Sequence, residues 1–259
     1  MILIKYLKKI QETIKLRQMQ YFQDQEGIVR RYMREKENWD NHFSNSKNFI
    51  LKSAQTKSKN KAVVLGSGWL LDLPIDKLSE QFNEIILIDI IHPKQVVNRI
   101  KKYPNVKIQK ADLTNGLIDF FYKNKGDKEI LNKIDFDKYL FAIPDADFVI
   151  SLNIMCQLHI ILIDFLRKHQ EDTIKDLQKI EQQIQELHLK ALPQGKSCLI
   201  TDFEEEVFNE DNDLVGVNPL IRINLPLGNF KSTWQWKFDS SMTYRDDLKT
   251  YFNTVAIDF

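Results

Sequence analysis

KAVVLGSG, residues 61–68, is the stretch that decides the fold. Ala62–Leu65 is a short apolar run, partly β-branched, and Gly66-Ser67-Gly68 follows it directly. A strand that is apolar at every position is one buried on both faces, as in a parallel sheet. Two close glycines let the main chain turn sharply at the strand's end. They also let another group approach the peptide with no Cβ in the way. A buried strand feeding a glycine turn is the entry to an open α/β sheet.

Working outward, the same pattern recurs. EIILIDI at residues 84–90, residues 106–109 after the turn Tyr103-Pro104-Asn105, DFVISL at 147–152 and SCLITD at 197–202 read as four more buried strands. Helical segments are expected between them over residues 75–82, 94–101, 128–140 and 153–192, the last breaking near 169–172. Strand and helix in alternation imply right-handed crossovers and a doubly wound sheet. KSTWQWKF (231–238) and TYFNTVAIDF (250–259) alternate instead, which predicts an antiparallel pair closing the sheet. On the first of these, Trp234 and Trp236 share a face and read as packing residues.

Before the first strand the character is different. Residues 1–55 are rich in Lys, Gln, Glu and Arg, with Ile10, Ile14, Tyr21, Ile28, Tyr32, Trp39, Phe43 and Ile50 at helical intervals. Two or three amphipathic helices are expected, ended by the polar linker SAQTKSKN at 53–60. The chain is thus divided into an N-terminal helical extension, 1–58, and a main α/β domain, 59–259. In the extension, Arg30, Arg31, Tyr32, Arg34, Trp39 and His42 interleave aromatics with cations, as a lid over a planar or anionic group would. A helical cap packed on the sheet is the plainer expectation. Residues 171–189 read as a solvated surface helix.

Composition narrows the classes. The chain has 259 residues and a net charge of +1, from 37 Lys+Arg against 36 Asp+Glu. That balance supplies no electrostatic argument for nucleic acid or an anionic membrane. No apolar run approaches the roughly 18 residues of a membrane span, and the N-terminus is too short and too rich in lysine for a signal peptide. A cytoplasmic location is the default expectation. Cys156 and Cys198 sit in apolar runs as buried thiols, and no metal cluster is expected.

The candidate chemistry gathers at the carboxyl ends of the strands. Asp89 ends the second strand 21 residues after Gly68 (89 − 68), near the spacing of a carboxylate that accepts ribose hydroxyls. Asp112, in Lys110-Ala111-Asp112-Leu113, is placed either to accept from an adenine amino group or to close an Asx turn. Asn153, Gln157 and His159 follow the fourth strand; Asn153 and Gln157 share a face if the segment is helical, Asn153 is also a helix-cap candidate, and His159 is a candidate general base. Asp202 ends the fifth strand; with Glu204-Glu205-Glu206 after it, it reads either as part of an acidic helix start or as a carboxylate facing a cationic or amine substrate. His92 is expected to bond locally.

With VVLGSG, IILIDI, KADL, DFVISLN and the terminal strand pair together, the chain resembles class I S-adenosylmethionine-dependent methyltransferases. More narrowly, GSGWLLDLP, DIIHP and SLNIMCQLH resemble a methyltransferase-like subgroup within that Rossmann-like family. The resemblance covers roughly residues 61–202 and 231–259. It implies a mostly parallel seven-stranded sheet whose last two strands form an antiparallel hairpin. It further implies S-adenosylmethionine as cofactor and methyl transfer to a small-molecule or protein acceptor. Gly66, Ser67, Gly68, Asp89, Asp112 and Asn153 would then hold the cofactor, and Asn153, Gln157, His159 and Asp202 would face the reaction centre. Leucine at position 71 departs from a GxGxxG turn and makes the loop bulky. No NPPY-like motif follows the fourth strand, which argues against the subgroups that methylate adenine or glutamine amides. Two other readings stand beside this one: a non-catalytic relative acting as a binding protein, and an NAD-dependent oxidoreductase using the same turn.

Overall fold

The computed structural model of the chain describes residues 2–127, 129–170 and 177–259. Its core is one mixed sheet. The parallel strands are β1 (Lys61–Leu65), β2 (Glu84–Asp89), β3 (Val106–Lys110), β4 (Phe148–Leu152) and the start of β5 (Ser197–Phe208). Antiparallel to β5 lie β6 (Leu214–Pro219) and β8 (Lys249–Asp258), and β8 pairs antiparallel with β7 (Phe230–Asp239). The order is β3-β2-β1-β4-β5-β8-β7, with β6 set off this path on β5. The expected seven-strand path and terminal hairpin are present, and β6 makes eight. All of β4, and all of β1 after Lys61, is buried.

The expected helix over 204–206 is absent. Glu204, Glu205 and Glu206 lie on β5, which continues six residues past Asp202 (208 − 202). Their partners are side chains on neighbouring strands and turns. Glu205 is buried and takes a bidentate contact from Arg245, with Nη2 2.8 and 2.7 Å from its two oxygens. Asn253 Nδ2 donates to both Glu204 and Glu206. Carboxylates with partners of this kind tolerate a strand as readily as a helix start.

Helices cover both faces. α3 (Ile75–Gln81) and α4 (Lys94–Ile100) pack with β1, β2 and β4 around Leu78, Val96, Ile85 and Phe148. α5 (Leu117–Lys123), α6 (Ile160–Gln170) and α7 (Leu177–Ala191) form a second cluster through Phe121, Leu166 and Ile184. The single helix expected over 153–192 is corrected at its start. Residues 155–159 form turns and α6 begins only at Ile160, because Asn153 sits at φ +48, outside the helical region. The break expected near 169–172, and the first part of the surface helix expected over 171–189, lie outside the described residues from 171 to 176. Residues 130–133 and 136–139 form two short 3₁₀ turns in place of one helix; Lys128 lies outside the described residues.

The N-terminal segment forms α1 (Ile2–Gln18) and the long α2 (Tyr21–Ala54). Leu16 and Met19 bury against α5 and α6. α2 kinks at Glu35 (φ −104, ψ 19), and the buried Glu35 carboxylate explains why the kink is fixed. It accepts bonds from Ser240 Oγ (2.6 Å), Ser241 N (2.9 Å) and Asn38 Nδ2 (2.7 Å). Beyond the kink Trp39 and Phe43 pack on Trp236, Phe238 and Phe252 of β7 and β8. Phe49, Ile50 and Ala54 then join the main core. The extension packs on the rest of the chain from Leu16 onward, whereas Ile4, Tyr6, Leu7, Ile10 and Ile14 of α1, two of them in the expected apolar stripe, are exposed.

The segment expected as a polar linker holds a buried ion pair. Lys57 Nζ lies 3.0 Å from Asp258 Oδ2, both side chains almost fully enclosed. Asp258 also accepts from Ser53 Oγ and from Asn229 Nδ2 (2.9 Å). This knot ties the end of α2 to the end of β8. Breaking one side of a buried pair strands the other charge and costs about 3–5 kcal/mol, whereas replacing both partners costs much less. Asp258→Asn should therefore lower unfolding stability in urea by about that amount. The double variant Lys57→Met/Asp258→Asn should recover part of the loss, and a double variant no better than the single would show that the pairing is not the cause.

Candidate functional site

Strand order reverses between β1 and β4, where chains leaving the sheet on opposite sides open a crevice at the carboxyl ends. A cleft lies there. Its floor is the 66–69 loop with the ends of β2 and β4, and one wall is apolar, with Ile90, Ala111, Ile118 and Leu158. Tyr21, Asp24, Gln25 and Ile28 of α2 form its roof. Trp39, Phe43, Leu71 and Trp236 close one end. The space between atoms, open mouth included, is about 1190 Å³.

The glycines of the floor have different reasons. Gly66 has φ +75, and a Cβ there would stand 2.7 Å from Ile154 Cβ and 3.0 Å from Leu152 O. It is a glycine because the turn after β4 crosses it. Gly68 has φ +46, and a Cβ there would meet only Gly66 O at 3.9 Å, so its surroundings are open. Ser67 Oγ lies 3.0 Å from His92 Nε2, the local bond expected of His92. The bulk of the loop is directed elsewhere. Trp69 Nε1 donates to Gln25 O (2.9 Å), Leu70 is buried in the core, and Leu71 packs by the aromatic cluster at the cleft's end. The strained position is Leu70, at φ +57, and not Leu71.

Asp89 lines the cleft and braces its floor. Gly68 N donates to Oδ2 at 2.7 Å, and Ile91 N lies 3.4 Å from Oδ1. Burial pushes the carboxyl up to about 6, against the pull of the Gly68, Ile91 and Ile90 amides, and Asp24 adds to the rise. Asp112 also lines the cleft, but its own turn engages it: Oδ1 accepts from Thr114 N (2.8 Å) and Oγ1 (2.6 Å), and Oδ2 from Gly116 N (2.9 Å).

The residues after β4 separate into two groups. Asn153 and Gln157 line the cleft, and Gln157 Nε2 donates to Asn153 O at 2.8 Å across the turn. Asn153 is not a helix cap; its side chain is locked to Asp202. Asn153 Nδ2 donates to Asp202 Oδ2 (3.1 Å), and Asp202 N donates back to Asn153 Oδ1 (3.2 Å). Thr254 Oγ1 donates to Asp202 Oδ1 at 2.6 Å. Asp202 thus sits behind the lining and holds it. Burial pushes its carboxyl up to about 7, opposed by the Thr254 and Asn153 bonds and assisted by Asp72. The Cys156 thiol is pushed up to about 12 by burial and Asp202, so it is no thiolate nucleophile at neutral pH. His159 does not reach the cleft. Its Nε2 lies 3.4 Å from Glu181 Oε1 of α7, and burial, then Arg222, lowers it to about 4.

From the interleaved N-terminal set, only Trp39 lines the cleft. Arg30 stands out by Glu26 (3.8 Å), Arg34 Nη2 donates to Thr243 Oγ1 (2.8 Å), and His42 stacks on Trp236. Among the cleft residues that the sequence did not mark as a site are Tyr21, Asp24, Gln25 and Asp72. Tyr21 and Ile28 stand in the apolar stripe of the extension, which showed that the face is covered but not by what. Among the described residues no three His, Cys, Asp or Glu side chains are grouped to hold a metal, and no helix is long and apolar enough to cross a membrane.

No family model matches the chain, and no curated protein matches its sequence. Solved structures do share its general chain path. The N-methyltransferase NodS of Bradyrhizobium japonicum WM9, in complex with S-adenosylhomocysteine, is similar over 83% of this chain and 86% of its own, at 9% identity and a TM-score of 0.39. A complex of DhpI with S-adenosylhomocysteine is similar over 93% and 95%, at 10% identity and 0.38. The 1,6-didemethyltoxoflavin-N1-methyltransferase of Burkholderia thailandensis is similar over 91% and 87%, at 8% identity and 0.42. The fold assignment rests on the sheet order itself.

Asp202 gives this site a pH signature. Folded, it keeps its proton up to about pH 7; unfolded, it releases it near pH 4. Its stabilising contribution is complete below the unfolded value and is lost as pH rises through the folded one. Asp202→Asn cannot ionise and lacks this dependence. In urea unfolding, the parent's stability should therefore fall relative to the variant's between about pH 4 and pH 7. A difference constant across that range would mean that Asp202 is ionised in the fold throughout.

Proposed function

We propose that the cleft binds S-adenosylmethionine and that the chain transfers the cofactor's methyl group to an acceptor. The observation that supports this reading best is the unobstructed main chain at Gly68 beside the Asp89 carboxylate, at the strand-order reversal. The residues fit an adenosyl group. Asp89 is held by the main-chain amides of Gly68, Ile91 and Ile90, and with about four lone-pair sites on its two oxygens it retains one for a ribose hydroxyl. Ile90, Ala111, Ile118 and Leu158 offer an apolar slot for a flat base. Asp112 at that end has a second lone pair on Oδ2 for an exocyclic amino group, Oδ1 already accepting from Thr114 N and Oγ1.

When bound, the cofactor supplies a methyl carbon made electrophilic by its sulfonium; the acceptor's lone pair forms the new bond and the broken S–C bond's electrons return to sulfur. The chain's own contribution is position and dryness. The roof of Tyr21 and Ile28 and the walls of Trp69 and Trp39 exclude water from a site whose floor is main chain. Asp202 acts as a positioning residue: it fixes Asn153, whose carbonyl in turn holds Gln157.

The dinucleotide reading fares worse. A pyrophosphate needs a helix N-terminus directly behind the glycine turn. Here α3 begins seven residues past Gly68 (75 − 68), after a segment filled by Trp69, Leu70 and Leu71.

Calorimetry with S-adenosylhomocysteine tests the proposal. Saturable binding at one site per chain is expected, with NAD giving none. Asp89→Ala should weaken it about tenfold or more, as loss of a hydrogen bond to a charged group does. Absence of binding by the parent protein at millimolar S-adenosylhomocysteine would overturn the assignment.

A further inference from the structure

The charge of the cleft is one-sided. Asp24, Asp72, Asp89 and Asp112 line it, and among the described residues no lysine, arginine or histidine does. Two of these acids are engaged: Asp112 by its turn and Asp89 by Gly68. Asp24 and Asp72 have no ion pair and no bond from another side chain among the described residues. The cations that act on them, Arg31 on Asp24 and Lys47 on Asp72, stand outside the lining. Arg31 lies over the rings of Phe238 (4.5 Å) and Tyr244 (4.8 Å), and Lys47 over Phe43 (5.5 Å). Asp72 is half-buried, where negative charge without a counter-charge is costly, and Asp24 is exposed on the roof.

Two further features of the same cleft point to a positively charged guest. Gln25 Oε1 is enclosed in the roof with no donor, an acceptor left for an N–H. Aromatic rings form the end wall: Trp39, Phe43 and Trp236 meet there, with Trp69 beside them. Ring faces attract cations and offer area to a flat or apolar body. The cofactor proposed above does not account for this charge. S-adenosylmethionine has a sulfonium, an ammonium and a carboxylate, a net charge of +1 against four lining carboxylates.

We infer that the methyl acceptor is an organic amine bound as its cation, with its charge met by Asp24 and Asp72 and its apolar body set against Trp39, Phe43, Trp69 and Trp236; for transfer the ammonium gives its proton to one of these carboxylates, the freed nitrogen lone pair takes the methyl, and the S–C bond's electrons return to sulfur. This rests on the methyltransferase reading, because it takes the remainder of the cleft to be the acceptor's place. An anionic acceptor is excluded by the same charges that favour the amine, and a neutral isostere forgoes their attraction.

The test uses the full chain saturated with S-adenosylhomocysteine and follows binding of three isosteres by calorimetry: tryptamine, indole-3-ethanol and indole-3-acetate. Phenethylamine and 2-phenylethanol repeat the comparison with a smaller ring. Each amine should bind at least about tenfold more tightly than its neutral partner, and the acid not measurably, as expected for a cation beside carboxylates. Asp24→Asn and Asp72→Asn should each reduce the amine-to-alcohol ratio severalfold. The ratio is read within one variant, so a general loosening of the cleft cancels. Equal binding of amine and alcohol, tighter binding of the acid, or a ratio unchanged in both variants would overturn the inference. Failure of S-adenosylhomocysteine itself to bind would instead strike at the function on which the inference rests.

Discussion

Strands β1 and β4 run so close together at their carboxyl ends that Gly66 has no room for a side chain, with Ile154 Cβ 2.7 Å from where one would begin. Much follows from this crossing. It forces the main chain after β1 into positive φ, which aims Ser67 and Gly68 across the ends of β2 and β4. Asp89 then finds Gly68 N within 2.7 Å and fixes the loop from below. Because the 66–69 turn is held from both sides, the segment after it can accommodate Leu70 in a strained conformation. A leucine at φ +57 is tolerated because its side chain is fully buried in the main core, where packing of a large apolar group offsets a backbone cost of about 1–3 kcal/mol.

The second constraint comes from the N-terminal extension. Glu35 binds the serines after β7 and breaks α2 there, so that one helix serves two purposes. Before the kink it roofs the cleft, and after it Trp39 and Phe43 seal the edge of β7 and β8. Trp69 connects these parts, since its indole N–H is held by the carbonyl of Gln25. The loop that forms the floor therefore also secures the roof.

These arrangements mark where sequence reading succeeds and stops. The buried strands were legible because a strand covered on both faces has no polar position to confuse its pattern; β1 and β4 are of this kind. The carboxylate at Asp89 was legible because its distance from the glycine turn is set by one strand-helix-strand unit. β6 was not, since its residues are mostly exposed and it exists through pairing with an overlong β5. The run Glu204–Glu206 misled for a related reason. Its partners, Asn253, Asn218 and Arg245, are distant in sequence, and local dipole arguments do not see them. Asp24 and Tyr21 were hidden in the same way: helical periodicity reports which face of α2 is covered, not that a cavity separates part of that face from the sheet.

The aspartates that line the cleft, and Asp202 behind its lining, are where fold and chemistry meet. Asp72, Asp89 and Asp202 are each raised to about 6 or 7, with burial as the first cause, and they act on one another in pairs: Asp72 with Asp202, Asp24 with Asp89. A fold selected for stability alone would place a lysine or arginine among them, as it has placed Lys57 against Asp258 at the opposite end of β8. The chain thus has the means to neutralise a buried carboxylate and uses it away from the cleft. Within the cleft the imbalance persists, and with it a stability that diminishes as these groups ionise. A positively charged guest reverses that penalty, because it favours the ionised carboxylates that the empty fold disfavours. Under the proposed amine reading, the groups that weaken the fold as they ionise are the ones a cationic guest would engage.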